Sequence, residues 1–229
     1  GTQEGRPAAV LMQPDGRYYV AGTFSSADGT PRQGLTRFNA TDGSVDLTYI
    51  VEVGGYLGDA SPGAIEAMAL DGAGKLIIAG SFNYVNGVPR RGIARLETNG
   101  TLDPSFDAGT FVDGTVYAVA VQTDGKIVIG GQFSYANGET AVSNLARLTS
   151  TGTIDGDFTK AIGTGANDTV NTIALDADDR IFAGGHFTQF NNLSAARAVR
   201  IERNGTVIAD GGFNPAFNNV VLSLLVLPE

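Results

Sequence analysis

The chain has 229 residues, 42 % of them hydrophobic and 17 % charged, so it can bury a sizeable core and is not a disordered segment. With 15 Lys and Arg against 24 Asp and Glu, its net charge of −9 argues against nucleic acid as a partner, because phosphate binding needs concentrated basic residues. Cysteine is absent, which excludes disulfides and thiolate metal sites, and no apolar run is long enough to span a membrane.

Four segments of the chain repeat one another, and self-similarity of this kind is the signature of a repeat protein. Each segment contains a Gly-x-Phe triplet at the end of an apolar run, and the triplet glycines are 58, 51 and 54 residues apart. The triplets are Gly22-Thr23-Phe24, Gly80-Ser81-Phe82, Gly131-Gln132-Phe133 and Gly185-His186-Phe187. We therefore predict one repeat domain over 1–229, with repeats 1 to 4 at approximately 7–63, 64–114, 115–168 and 169–219.

The third repeat shows the predicted strands most clearly. Residues 116–122 are apolar at nearly every position, which is typical of a strand covered on both faces, and Asp124-Gly125 predicts a hairpin turn into a second strand over 126–133. Residues 145–148 predict a third strand, and the region of Ile154 a short fourth one. No helical pattern is evident, so we expect an all-β chain.

Each repeat thus predicts three to four antiparallel strands, which is the content of one β-propeller blade. A lone unit of this kind cannot bury both of its faces, so the units are expected to stack around an axis. We predict a β-propeller or a propeller segment with four blades.

An arginine follows the Phe of each triplet by 13 or 14 residues, and in three repeats an aspartate follows the next turn. Because the arginines recur at one position in every repeat, we predict a structural role: each binds the aspartate of the following turn or backbone carbonyls. The arginines are Arg37, Arg95, Arg147 and Arg200, and the aspartates are Asp46, Asp103 and Asp155.

The third repeat also carries a longer signature, Val-x-x-x-Ala-x-Gln-x-Asp-Gly-Lys-Ile-x-Ile-Gly-Gly-x-Phe at 116–133, then Leu-Ala-Arg-Leu at 145–148 and Gly-x-Ile-Asp-x-x-Phe at 152–158. This signature resembles the delta-60 repeat family, a bacterial β-propeller-like repeat with no assigned chemistry. The resemblance covers nearly the whole chain and implies large secreted or surface-attached proteins as the context. It carries no catalytic residue to this chain.

The segment Val220–Leu227 aligns with the first strand of a repeat, so we expect one extra C-terminal strand after the four blades. Three interpretations stay open. The chain is a piece of a longer propeller, or four blades close a small ring with the strand at the seam, or the strand pairs with another chain. Strand addition between chains would cover an otherwise exposed apolar edge.

The loop after the second strand of each repeat is the most site-like feature. Four residues after each triplet Phe stands an Asp or Asn followed by Gly or Asn, a pair typical of tight turns, and aromatic residues lie beside it in three repeats. Because the loops are expected on one face of a ring, we predict that they bind a peptide or a sugar. The candidate ligand-binding residues are Asp28, Tyr84, Asn86, Tyr135, Asn137, Phe190 and Asn191.

The remaining polar residues predict no catalytic, metal or cofactor site. His186 is the one histidine and has no nucleophile at a telling spacing, so we interpret it as a tolerated polar residue. Asp176, Asp178 and Asp179 lack the spacing of a calcium loop and are interpreted as a solvated turn.

These features favour a non-catalytic scaffold or binding module, extracellular or on a bacterial cell surface, with a protein or glycan partner and no membrane insertion. The first alternative is a self-assembling surface filament, layer or virion component joined through Val220–Leu227. The second is an enzyme built on a propeller, since fold alone does not fix function.

Overall fold

The computed structural model describes residues 5–55, 63–109, 114–133, 142–208, 213 and 215–227. These residues form short strands and one short helix, which confirms the predicted all-β class. Among them, no helix has the length and hydrophobicity that crossing a membrane requires. The chain divides into two compact units, Gly1–Asp107 and Ala108–Glu229. The prediction of a single domain over 1–229 stays a prediction.

The strands of the first unit form two similar antiparallel main sheets and two small sheets of two-residue strands. They are β1 (Pro7–Met12), β2 (Tyr18–Gly22), β3 (Ser26–Ala27), β4 (Thr30–Pro31), β5 (Leu35–Phe38), β6 (Val53–Gly54), β7 (Ala64–Leu70), β8 (Leu76–Ser81), β9 (Tyr84–Val85), β10 (Val88–Pro89) and β11 (Ile93–Leu96). The main sheets have the orders β1-β2-β5 and β7-β8-β11, so the second strand of each repeat is central. β7 packs against β1 and β2, and the two sheets bury Tyr19, Leu35, Ile65 and Ile78 between them.

The second unit repeats this arrangement. Its elements are β12 (Gly114–Val121), β13 (Ile127–Phe133), β14 (Leu145–Leu148), α1 (Gly156–Ile162), β15 (Val170–Leu175), β16 (Ile181–Gly185), β17 (Gln189–Phe190), β18 (Leu193–Ser194), β19 (Ala198–Ile201) and β20 (Val207–Ile208). The main sheets have the orders β12-β13-β14 and β15-β16-β19-β20. β15 packs against β12 and β13, and the core includes Val128, Leu145, Val170 and Val199.

A β-bulge explains the glycine of every Gly-x-Phe triplet. In each main sheet the register between the first and second strands shifts at the equivalent place, which brings a carbonyl at the start of the first strand, or of the residue just before it, close to the triplet glycine. A Cβ atom at these glycines would lie 2.0 to 2.1 Å from that carbonyl oxygen, so the position excludes every side chain. The glycines are Gly22, Gly80, Gly131 and Gly185.

The expectation of a chain without helix is wrong, because Gly156–Ile162 forms α1. Asp155 caps the helix by accepting a hydrogen bond from the backbone N–H of Phe158 at 3.3 Å. Phe158 and Ile162 are fully buried and hold the helix on the sheet. The short fourth strand predicted near Ile154 is reduced to a single bridge with Leu148.

The predicted C-terminal strand over Val220–Leu227 is not formed, since no second strand among the described residues completes a ladder with it. The segment nevertheless lies on the fourth repeat, where the Val221 N–H donates to the Gly185 carbonyl at 3.2 Å. A Cβ at Gly184 would lie 2.6 Å from Val221, just as a Cβ at Gly130 would lie 2.6 Å from Val170 of β15. The segment thus takes, on repeat 4, the place that β15 takes on repeat 3.

Candidate functional site

The recurring arginines lie in buried ion pairs, which confirms their predicted structural role in three repeats. In each, the arginine Nε donates to an aspartate oxygen at 2.8 to 3.0 Å, and the guanidinium carbon lies 4.0 to 5.0 Å from the centre of an aromatic ring. The triads are Arg37–Asp46–Tyr49, Arg95–Asp103–Phe106 and Arg147–Asp155–Phe158. In repeat 4, Arg200 instead lies 3.5 Å from Glu202, and Asp210 is outside the described residues.

The triad aspartates are held in their ionised form. Burial of Asp46 opposes ionisation, but hydrogen bonds from Thr48 and Arg37 outweigh it and lower the pKa of the carboxyl to about 2. Burial also opposes ionisation of Asp103, yet hydrogen bonds led by that from Lys75 hold its pKa well below the usual range. Carboxylates of this kind serve as permanent partners of cations rather than as proton donors.

In repeats 1, 2 and 4 the loop after the second strand, which we call the repeat-end loop, has at its tip the tight turn that the sequence predicts. Asp28, Asn86 and Asn191 have φ values of 47°, 50° and 49°, in the left-handed region. Each is followed by a second residue of positive φ, which gives the two-residue hairpin turn that suits the twist of short strands. The turns connect β3 to β4, β9 to β10 and β17 to β18.

Two of the three tip side chains bind the protein's own backbone. Asn86 Oδ1 accepts from the Glu52 N–H at 2.9 Å, and its Nδ2 donates to the Gly100 carbonyl at 3.1 Å. Asn191 Oδ1 accepts from the Thr164 N–H at 3.4 Å. These asparagines therefore fasten the loops to the chain segments beside them, whereas Asp28 is exposed at its tip.

The aromatic candidates lie in different environments. Phe190 is fully buried, with its ring centre 6.2 Å from that of Phe187, so the ring supports the loop from beneath and is not open to a ligand. Tyr84 is partly exposed in β9, where it pairs with Gly54 and Pro89. Tyr135 and Asn137 lie outside the described residues.

Two adjoining clefts at the loop ends of repeats 3 and 4 form what we call the polar groove. The larger has a volume of about 500 Å³ and the smaller about 190 Å³, and Ser143 and Asn167 line both. Asn144 helps to fix the wall, since its Oδ1 accepts from the Phe133 N–H at 3.1 Å and its Nδ2 donates to the Ala166 carbonyl at 3.0 Å. Asn167 does the same by accepting from the Thr188 N–H at 2.9 Å.

Other polar side chains of the groove are open to solvent. Gln132, Gln189 and Asn192 are exposed, and their carboxamides make no hydrogen bond to the described part of the chain. Asp168 Oδ1 accepts from the Thr169 N–H at 2.6 Å, and its carboxylate is exposed in the larger cleft. The groove therefore offers amide donors and acceptors and one negative charge.

Sequence reasoning did not select Gln132, although a signal was present. Side chains alternate between the two faces of a strand, so the middle residue of each triplet points away from the face of the buried glycine. All four middle residues are in fact exposed: Thr23, Ser81, Gln132 and His186. A variable residue at this position therefore marks the loop end of each repeat.

The repeated antiparallel sheets define the chain as a repeat protein of the β-propeller class. Four segments, 13–49, 74–106, 122–158 and 177–207, match the family described as "Domain of unknown function (DUF5122) beta-propeller". Together they make up more than half of the chain, which belongs to this family.

Solved structures with similar folds include the extracellular domain of a putative one component system from B. thetaiotaomicron. It has a TM-score of 0.55 and 17 % identity, over 98 % of this chain and 24 % of that one. PorZ, a surface component of the type-IX secretion system of Porphyromonas gingivalis, has a TM-score of 0.53 and 14 % identity, over 95 % and 28 %. The chain thus spans about a quarter of each, and the likeness shows the fold alone. No curated protein matches the chain.

Proposed function

We propose that the chain is a non-catalytic extracellular scaffold or binding module that presents its repeat-end loops to a protein or glycan partner. The observation that carries this proposal is the polar groove, where exposed carboxamides of Gln132, Gln189 and Asn192 stand on walls fixed by Asn144 and Asn167. In this proposal the four matching segments are four propeller blades of the delta-60 type.

The charged residues support a role without catalysis. Wherever a carboxyl among the described residues has a shifted pKa, the shift is downward, whereas a general acid needs a raised pKa. The buried arginines of the triads are bound to these carboxylates and do not face an open site.

The proposed location outside the cell rests on the similar structures. One is described as an extracellular domain and the other as a bacterial surface component. Repeat arrays with loops on one face are well suited to such settings, because a rigid sheet core holds variable loops in fixed positions.

The double variant Gln132→Ala/Asn192→Ala tests the groove. Ligands would first be selected with the unaltered chain on a glycan array and a peptide array. Removing two carboxamides should weaken binding of a selected ligand by about fivefold or more, at about 0.5 to 1.5 kcal/mol for each hydrogen bond. Calorimetric titration measures the affinity, and thermal unfolding checks that the variant is folded.

Asn218→Ala is the matched control, because Asn218 has an exposed carboxamide outside the groove. This variant should bind the selected ligand as tightly as the unaltered chain does. Equal binding by the groove variant, or the absence of any ligand on both arrays, would contradict the proposal.

Self-assembly is the second candidate, and the C-terminal segment favours it. Val221 and Leu224 face Gly184 of repeat 4, while Leu222, Leu225 and Leu227 are 72 to 82 % exposed. The segment forms no strand ladder with the described residues. Its row of exposed leucines is a surface that a second chain can cover.

Deleting residues 220–229 should convert an oligomer to a monomer if this segment joins chains. The double variant Leu222→Ser/Leu225→Ser should do the same while keeping the contacts of Val221 and Leu224. Leu47→Ser is the control: Leu47 is likewise an exposed leucine, at 67 %, and its substitution should leave the mass in solution unchanged. Light scattering gives the mass in solution; a chain that is monomeric before any change rules assembly out.

A further inference from the structure

Arg32 is a buried cation that forms no ion pair with any of the described residues. Its residue is 6 % exposed, its Nη1 donates to the Pro31 carbonyl at 2.8 Å and its Nη2 donates to the Asp46 carbonyl at 3.2 Å. Both acceptors are neutral, and no carboxylate of the described residues forms an ion pair with the guanidinium. The Nε–H group has no hydrogen-bond partner in the part of the chain that the structure describes. A buried charge of this kind is normally paired.

The guanidinium lines a cleft of about 170 Å³ at the loop end of repeat 1. The cleft is bounded by Ser25, Gln33 and Ile50, and Glu52 is exposed and also lines it. The site therefore combines the positive charge of Arg32, which has no ion-pair partner among the described residues, with the neutral polar side chains of Ser25 and Gln33 and the negative charge of Glu52. The negative charge of Glu52 disfavours a doubly charged anion beside it.

Repeat 2 shows what is missing from this site. Arg90 is the counterpart of Arg32, and its Nη1 donates to the Pro89 carbonyl at the same 2.8 Å. Here, however, the Asp107 carboxylate lies 3.9 Å from the guanidinium. Asp107 stands four residues after the triad aspartate of repeat 2, and Ile50 occupies that place in repeat 1. The charge partner of repeat 2 is thus replaced in repeat 1 by an apolar residue that is 60 % exposed.

We propose that the Arg32 cleft binds a singly charged carboxylate supplied from outside the chain, an acidic side chain or a C-terminal carboxylate. The guanidinium would donate charge-assisted hydrogen bonds to this carboxylate. This inference rests on the proposed binding role of the loops, since the cleft belongs to the loop over 25–34. It names the ligand chemistry for that loop.

The test is a ¹H–¹⁵N NMR titration that follows the Arg32 Nε–H signal and the amides of residues 50–52. The probes are N-acetylglutamate α-amide for a side-chain carboxylate, N-acetylglycine for a terminal one, and inorganic phosphate. At least one carboxylate should shift the Arg32 signal saturably, and the tighter of the two identifies the source. Phosphate should bind more weakly than that carboxylate.

Ile50→Asp supplies an internal carboxylate in the manner of Asp107 and should weaken carboxylate binding by about tenfold or more, because like charges across a contact oppose binding. Ile50→Asn has the same shape without the charge and should bind as the unaltered chain does. Undiminished binding by Ile50→Asp, tighter binding of phosphate, or no saturable shift with either carboxylate would overturn the proposal. Ligand binding through the polar groove would survive that failure, so the two proposals fail separately.

Discussion

Replacing Gly80 by alanine is expected to lower the free energy of unfolding by about 3 kcal/mol or more, at the upper end for an overpacked site. The added Cβ would lie 2.1 Å from the Ala64 carbonyl oxygen, which belongs to the bulged strand β7 and cannot rotate away as a side chain would. The sheet must therefore give up the bulge or separate its first two strands. Urea denaturation followed by circular dichroism measures the loss.

Gly72→Ala is the matched control in the same unit. A Cβ at Gly72 meets nothing within 4 Å, and its backbone is outside the left-handed region, so its stability should change by no more than about 0.5 kcal/mol. If Gly80→Ala proved as stable as Gly72→Ala, the bulge would not be the reason for the repeated glycine.

Substituting Asp103 by asparagine should cost about 3 kcal/mol, because it removes the carboxylate that Arg95 Nε binds at 2.8 Å and leaves the more distant Asp71 at 3.8 Å beside this buried cation. Asp103 is 1 % exposed and one of its oxygens accepts from Arg95 Nε and Lys75 Nζ, both at 2.8 Å. Asparagine keeps the shape and the hydrogen bonds to Ser105 but removes the charge that both cations share. Chemical denaturation at neutral pH measures the difference.

The same variant alters the response to acid. Because the folded pKa of Asp103 is lowered from its ordinary value of 3.8, its stabilisation is present above pH 3.8 and disappears as the pH falls toward the folded value. The unaltered chain should lose stability below about pH 4 more steeply than Asp103→Asn does. Asp15→Asn, at an exposed pair with Arg17, should behave nearly as the unaltered chain. If the unaltered chain and both variants lost stability equally as the pH falls below about 4, the triad would contribute no stability.

The strands and triads were predictable from the sequence because the same turn residues and the same Arg–Asp spacing recur from repeat to repeat. The Asp124-Gly125 turn fixes the hairpin of β12 and β13, and the Arg–Asp spacing anticipates three ion pairs. The helix α1 was not predictable in this way. The triad aspartates of repeats 1 and 2 accept from the N–H two residues later, whereas Asp155 accepts from the N–H three residues later and starts a helix.

The ligand-binding residues that the sequence suggests stay a prediction, and the polar groove lies beside the loops that carry some of them. The sequence indicated the loop tips, yet the carboxamides of Asn86 and Asn191 form hydrogen bonds with neighbouring backbone N–H groups. The polar groove depends on which residues of adjacent repeats come together, as Gln132 and Asp168 do, and a single repeat pattern does not contain that information. The Arg32 cleft became evident through a broken repeat, in which Ile50 stands where repeat 2 has Asp107.

The central claim is that two sets of residues have separate roles. The residues that recur from repeat to repeat stabilise the sheets, and the residues that vary in the repeat-end loops bind the partner. The most direct test is the calorimetric affinity of an array-selected ligand for two variants, each measured where it is fully folded. We predict that Asp103→Asn binds as tightly as the unaltered chain, while the affinity of Gln132→Ala/Asn192→Ala falls by about fivefold or more. Loss of affinity in Asp103→Asn together with undiminished binding by the groove variant would contradict the account.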